Sequence, residues 1–268
     1  MDVHVGYAKW QFEKSNVDDR VHDYLGIFLK SRKDGSDRDQ TVLNSTICLD
    51  VSGSMAGNLS AGNQSHQSRL AISIEAIKMF YSKLRPEDSL GLVIFNHKAY
   101  TLMEQTTKKQ IAEEELFAIL NQLKPSGTTS LQMGFEMAAE LLGAYNEKVE
   151  TKCPSENRII MVTDVCDNSI EGVRAFIEEA SKSTMFVTII GISSEFQSGT
   201  CERMKDIKGF NYFSAIDDED LMKHIFHNFD FVYFPIAHHV SLRLKTDNVK
   251  SIEVFGSGSD EQVHSVQG

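Results

Sequence analysis

The sequence predicts an α/β protein: a doubly wound, mainly parallel sheet flanked by helices, with a small accessory β unit drawn from both chain ends. Three observations carry this. From about residue 43 to residue 231, short β-branched or aliphatic runs alternate with amphipathic helical patterns, the arrangement of a sheet covered on both faces. Both ends show alternation of the strand kind instead, clearest in Tyr24, Gly26-Ile27-Phe28-Leu29 and in Val240, Leu242, Leu244, Ile252 and Val254. The length, 268 residues, suffices for one sizeable core with roughly 60 to 80 residues left for extra elements.

Taken in order, residues 3 to 14 and 21 to 32 read as two strands around the polar turn Ser15-Asn16-Val17-Asp18-Asp19, and the sole tryptophan, Trp10, is expected to pack in this unit. The charged segment from Ser31 to Asp39 reads as a solvated linker. A strand at 43 to 49 leads to a helix near 69 to 84, whose Leu70, Ile74, Ile77 and Tyr81 share one face. After the turn Arg85-Pro86-Glu87-Asp88 come a strand from Leu90 to Phe95 and a short edge strand near Ala99 to Met103. Helices near 108 to 123 and 130 to 144 precede a strand at 158 to 163, a helix at 169 to 182 and a strand at 185 to 191. A short helix near 200 to 208, a strand at 210 to 214 and a helix from about 218 to 231 complete the pattern. The domains expected are therefore 1 to 40 (accessory strands), 41 to 233 (the α/β domain) and 234 to 268 (accessory strands and a flexible Gly/Ser-rich tail).

Composition narrows the function classes. Apolar residues at 41% and charged ones at 24% describe an ordinary globular chain. A net charge of −11 argues against a phosphate-backbone ligand and favours cation uptake, so no nucleic acid is expected as a partner. No apolar run approaches the roughly 18 residues needed to cross a bilayer. The start Met1-Asp2-Val3-His4-Val5-Gly6 shows no basic and apolar leader, and the four cysteines (Cys48, Cys153, Cys166, Cys201) lack staple spacing. A cytoplasmic location with free thiols is expected, or an extracellular one if a signal peptide has been removed. Of three glycosylation sequons, at Asn44, Asn58 and Asn63, the first opens a core strand and could hardly carry a sugar.

The chemistry concentrates at Asp50-Val51-Ser52-Gly53-Ser54, which puts a carboxylate and two hydroxyls on alternate residues directly after the apolar run Ile47-Cys48-Leu49. A strand delivering Asp50 at its end and a tight turn at Gly53 would let these oxygens converge, as an octahedral Mg²⁺ or Mn²⁺ requires. Alone the pattern is also compatible with an ordinary turn, since Asp and Ser dominate turns. Downstream, Pro125-Ser126-Gly127-Thr128-Thr129-Ser130 offers another hydroxyl before a helix, and Arg158-Ile159-Ile160-Met161-Val162-Thr163-Asp164 ends a second apolar run in an acid. Ligands of such sheets bind beyond the carboxyl ends of the strands, where Asp50 and Asp164 both fall.

Three segments in this order resemble the von Willebrand factor type A domain and its metal-ion-dependent adhesion site, over residues from about 41 to about 230. The resemblance implies a metal site made of Asp50, Ser52 and Ser54 from the first motif, Thr129 from the second and Asp164 from the third. It departs from the family at Val165, where relatives usually have Gly after the third-motif acid. By this resemblance Ser52, Ser54 and Thr129 would bind Mg²⁺ directly (Mn²⁺ or Ca²⁺ as alternatives), with Asp50 and Asp164 holding its waters or binding directly. A first shell rich in neutral hydroxyls leaves a dication poorly neutralised, so the expected partner is a protein offering an Asp or Glu carboxylate. The rim stretch 55 to 68 reads either as a flexible lip that selects the partner or as a tolerated insertion.

Other classes fare worse. In Gly53-Ser54-Met55-Ala56-Gly57 the serine stands one position early for a nucleophile elbow, and no lysine follows Gly57 and Gly62 as a phosphate loop demands. A Mg-dependent hydrolase would need Asp167 or His66 as its base. His224, His227, His238 and His239 lack partner cysteines at zinc spacing. The expectation is a non-enzymatic, cation-dependent protein-binding module. Its alternative is a structural scaffold with a vestigial metal site.

Overall fold

The computed structural model describes residues 2–11, 21–30, 41–58, 67–149, 154–164, 169–192, 201, 204, 206–215, 217–227 and 229–234. The chain divides into two units, Met1–Arg38 and Asp39–Gly268. In the first, β1 (Asp2–Gln11) and β2 (Val21–Lys30) form an antiparallel hairpin in which Tyr7 pairs with Leu25 and Trp10 with His22. The side chain of Trp10 and the strands expected beyond residue 238 lie outside the described residues.

The second unit is built on six strands: β3 (Val42–Asp50), β4 (Ser89–Phe95), β5 (Ala99–Thr107), β6 (Ser155–Thr163), β7 (Met185–Ile192) and β8 (Asn211–Ala215). Their order is β5-β4-β3-β6-β7-β8, and every pair is parallel except β4 with the edge strand β5. Because the chain winds outward from β3 in both directions, the order reverses between β3 and β6. The connecting loops part at that point and leave a crevice at the carboxyl ends of these two strands.

Helices cover both faces, as the alternation of strand residues requires. Leu43, Ile47 and Leu49 of β3, with Val51 just past its end, pack in one buried layer with α1 (Arg69–Lys83), α2 (Glu113–Leu120) and the last helical segments. Cys48 points the other way, into a layer with Phe95, α3 (Leu131–Lys148) and α4 (Ser169–Lys182). Burial of Leu70, Ile74, Ile77 and Tyr81 shows that the spacing predicted the α1 face correctly.

Several boundaries differ from expectation. The edge strand runs on to Thr107 because its Thr-rich end keeps pairing with β4 through register shifts near Leu90 and Leu92. The helix expected at 108 to 123 is therefore only a short 3₁₀ turn, Lys108–Gln110, followed by α2. The sheet also begins earlier at β6, where the polar Ser155-Glu156-Asn157 is tolerated because each long side chain finds a buried partner. Glu156 pairs with Arg158 at 2.7 Å, and Asn157 accepts from Asn44 at 2.9 Å. That bond and its 2% exposure close Asn44 to a sugar. Around residues 201 to 210 the described positions form successive turns, with Met204 donating to Cys201, Ile207 to Met204 and Phe210 to Ile207. The single helix expected at 218 to 231 is broken into α5 (Asp218–Met222), a π turn (Lys223–His227) and α6 (Phe229–Tyr233). Phe229 and Tyr233 of α6 both stack against Phe80 of α1.

Gly134 sets how closely α3 lies on the sheet. A Cβ there would stand 2.6 Å from the Phe95 ring and 2.9 Å from Cys48 Sγ. Gly134→Ala is therefore expected to destabilise the domain by about 1–3 kcal/mol through overpacking, against the roughly 1 kcal/mol that Ala gains over Gly in an open helix. Urea unfolding decides the sign, and a stabilised variant refutes the close packing.

Candidate metal site at the switch point of the sheet

The site starts from a buried carboxylate. Asp50, the last residue of β3, is 0% exposed, and both of its oxygens are engaged. Oδ1 accepts from the Ser52 backbone N–H at 2.8 Å and Oδ2 accepts from the Thr163 hydroxyl at 2.6 Å. Thr163 ends β6 and is in register with Asp50, so the pairing of Leu49 with Val162 puts these two polar groups side by side at the switch point. Burial pushes the Asp50 carboxyl above its usual range and the Asp164 charge adds to that, while the bonds from Thr163 and Ser52 pull it back.

After Asp50 the chain turns through Ser52 into a 3₁₀ turn, Gly53–Ala56. Fully buried Met55 plugs that turn into the core, leaving Ser54 at the surface. The two hydroxyls then meet, Ser52 Oγ lying 3.1 Å from Ser54 Oγ. Ser54 in turn donates to Asp164 Oδ1 at 2.9 Å. One hydrogen-bonded chain thus joins Asp50, Ser52, Ser54 and Asp164, from two loops more than a hundred residues apart in sequence.

Thr129 arrives on a third loop. Gly53 N–H donates to Gly127 carbonyl oxygen at 2.9 Å, and Ser126 N–H donates to that of Val51 at 2.7 Å. Asn96, just past β4, holds the same loop from the other side: its Nδ2 donates to Ser126 oxygen at 3.0 Å and its carbonyl accepts from Ser130 N–H at 2.8 Å. Gly127 has φ +79°, a left-handed conformation that favours glycine, and a Cβ there would come within 2.7 Å of His97 Nδ1. The half-buried Thr129 is held between these fixed points by backbone bonds, whereas the other four positions are linked through their own side chains.

The donor set fits a small, hard cation. Octahedral ligands at about 2.0–2.1 Å from an ion stand about 2.8–3.0 Å from their neighbours. The Ser54–Asp164 spacing of 2.9 Å falls on that edge and the Ser52–Ser54 spacing of 3.1 Å lies just beyond it. Among the described residues no three His, Cys, Asp or Glu side chains cluster as a metal site. The hydrolase bases weighed above, Asp167 and His66, and the Val165 departure lie outside the described residues.

Sequence reasoning missed one group. Arg69, the first residue of α1, donates through Nη1 to Asp164 Oδ2 at 2.6 Å. The only hint in the sequence is a cation at a helix start, where the helix dipole disfavours positive charge. The rim loop is pinned at both ends: Asn58 bridges Ser68, and Arg69 N–H donates to Gly57 oxygen at 2.8 Å. Its residues 59–66 lie outside the described set. Cys48 is a buried free thiol and Cys201 is buried as well, while Cys153 and Cys166 also fall outside the described set.

Comparison with known proteins bears on the fold that carries this site. Residues 46–168 match the von Willebrand factor type A domain family. The inter-alpha-trypsin inhibitor heavy chain H2 of Sus scrofa is 30% identical over 124 residues, which cover 45% of this chain and 12% of that protein. The chain thus spans about an eighth of that relative's length. The solved von Willebrand factor type A structure from Catenulispora acidiphila superposes with a TM-score of 0.55 at 14% identity, over 84% of this chain and 48% of that one. The conserved hypothetical protein BatB from Bacteroides thetaiotaomicron superposes with a TM-score of 0.51 at 18% identity, over 65% of this chain and 90% of that one. These likenesses support a von Willebrand factor type A domain in the α/β unit, a fold that generally serves protein interaction.

Removing the Thr163 hydroxyl tests the foundation of the site. Thr163→Val leaves Asp50 Oδ2 buried without that donor and is expected to lower stability by about 1–3 kcal/mol. Denaturant unfolding at neutral pH measures it, and a loss within 0.5 kcal/mol (about the size of a neutral surface change) contradicts the assigned role.

Proposed function

We propose that the von Willebrand factor type A domain of this chain is a non-catalytic, divalent-cation-dependent module that binds a partner protein through an acidic side chain. The observation that carries this reading is the row of oxygens from Ser52 through Ser54 to Asp164, close to octahedral edge spacing beyond the carboxyl ends of β3 and β6. Ser52, Ser54 and Thr129 would hold Mg²⁺ or Mn²⁺ directly, with Asp50 and Asp164 behind them. When bound, the ion supplies a coordination position for a partner's Asp or Glu carboxylate, since neutral hydroxyls leave much of its charge unmet.

The chain's own groups have separable tasks. Asp50 fixes the turn, because its Oδ1 holds the Ser52 amide and its Oδ2 ties that turn to β6. Buried Met55 keeps Ser54 presented outward. The Asn96 and Gly127 contacts fix the Thr129 loop before any ligand arrives. Pre-formed backbone of this kind lowers the ordering entropy that binding must overcome. Binding of an acidic partner by a chain of net charge −11 also needs a local positive centre, which the cation provides.

A structural scaffold that works without metal is the second reading. The Arg69–Asp164 pair favours it, because a guanidinium already balances one of the two acids.

Thermal unfolding separates the two. Under the first reading Mg²⁺ or Mn²⁺ added after chelator raises stability, by about 2.7 kcal/mol at a hundredfold excess over the dissociation constant. Asp50→Ala abolishes the rise. A chain whose melting is indifferent to millimolar cation is a scaffold.

A further inference from the structure

Arg69 is placed against its own helix. It opens α1, whose first turn contains no acid, and a cation there meets the positive end of the helix dipole. Its backbone is held in that place by the bond from Arg69 N–H to Gly57 oxygen, and its side chain is only 18% exposed. Nε is buried without a hydrogen-bond partner among the described residues. An exposed arginine could satisfy all its donors in water, so this arrangement is held by what Nη1 gains from the fully buried Asp164 carboxylate.

The pair also sits in the way. Asp164 accepts from Ser54 on Oδ1 and from Arg69 on Oδ2, so both oxygens are occupied by protein groups. Of the two acids, Asp50 is closed off by Thr163 and the Ser52 amide. Asp164 is then the acid whose charge a cation must recruit, and a guanidinium holds it at 2.6 Å.

We infer that Arg69 is a tethered competitor of the divalent cation: it neutralises Asp164 when no ion is bound and weakens ion binding until Asp164 is shared or released. The inference rests on the metal reading above and adds a regulator to the same site. The electrostatics give its direction. With Asp50 and Asp164 ionised, the site carries a charge of about −2 without Arg69 and about −1 with it, so the arginine halves the charge that attracts a dication. Once an ion is bound, the same guanidinium stands at the rim as a second positive group facing the carboxylate of a partner. Arg69 thus exchanges affinity for metal against affinity for an acidic ligand.

The test uses the whole chain and Mn²⁺ alone as the probe. Mn²⁺ binding is measured by calorimetry and by loss of the free-ion electron paramagnetic resonance signal for wild type, Arg69→Gln and Arg69→Met, with thermal unfolding in chelator run alongside. Both variants are expected to melt lower than wild type in chelator, to bind Mn²⁺ at least tenfold more tightly and to recover their melting temperature as the ion is added. Wild-type binding with equal or weaker binding by the variants overturns the role of Arg69 and leaves the metal reading standing. No binding by any of the three, the variants being folded, overturns both. Variants that stay unfolded even in millimolar Mn²⁺ show that the guanidinium is purely structural, which also overturns the competition.

Discussion

The buried carboxylate of Asp50 is the constraint on which the rest of this structure depends. A carboxylate with no exposure is costly unless it is hydrogen-bonded, and among the described residues its donors come from two places: Ser52 and the Thr163 hydroxyl. The first exists only if the chain turns back immediately after β3. The second exists only if β6 lies beside β3 in a register that brings Thr163 level with Asp50. A single residue therefore ties local turn geometry to sheet order. It does so at the point where winding of the sheet reverses and a crevice is unavoidable. A shift of β6 by one residue would turn Thr163 to the opposite face and leave Asp50 Oδ2 without that donor, so core packing and site assembly select the same register.

Charge is distributed unequally between the two acids, and that inequality organises the site. Asp50 binds protein groups on both oxygens and belongs to the framework. Asp164 holds a serine hydroxyl and an arginine, and both partners are less buried than it is. Ser54 and Arg69 stand on segments that meet at Gly57, where Arg69 N–H is bonded, so the hydroxyl and the guanidinium reach Asp164 from one rim. Any change in what Asp164 binds must be felt first at that rim. Asn58 and Ser68, the described ends of the rim stretch, are joined there by a backbone bridge.

Much of this was legible in the sequence because the signals were chemical and periodic at once. Apolar runs ending in Asp50 and in Thr163-Asp164 announced strands and site together, and the apolar face of α1 followed from its 3.6-residue spacing. What escaped were features decided by partners far away in sequence. Ser155-Glu156-Asn157 reads as loop, yet it is strand because Arg158 and Asn44 wait for its side chains. Thr-rich β5 outran its predicted end because β4 kept offering hydrogen bonds. The π turn at Lys223–His227 interrupts a pattern that is periodic enough for one helix. Arg69 escaped for the same reason. Its partner stands 95 positions away, and a lone cation at a helix start carries no motif.

The hydroxyl-rich composition of the site has a consequence for how binding and folding are linked. In a cage of many carboxylates, removing the metal leaves mutually repelling charges, and the loops come apart. Here the Ser52 and Ser54 hydroxyls bond to one another, Asp50 bonds to the framework, and Asp164 has a guanidinium, so these four groups are held by protein partners. The loops are further pinned by backbone bonds between Val51–Gly53 and Ser126–Gly127 that no ion mediates. Under the proposed metal reading, the same scaffold would stand in two electrostatic states, one closed by an arginine and one open to a dication, with little demand on the sheet beneath. What separates them is the partner of one carboxylate at the end of β6, and the geometry around it keeps that exchange local.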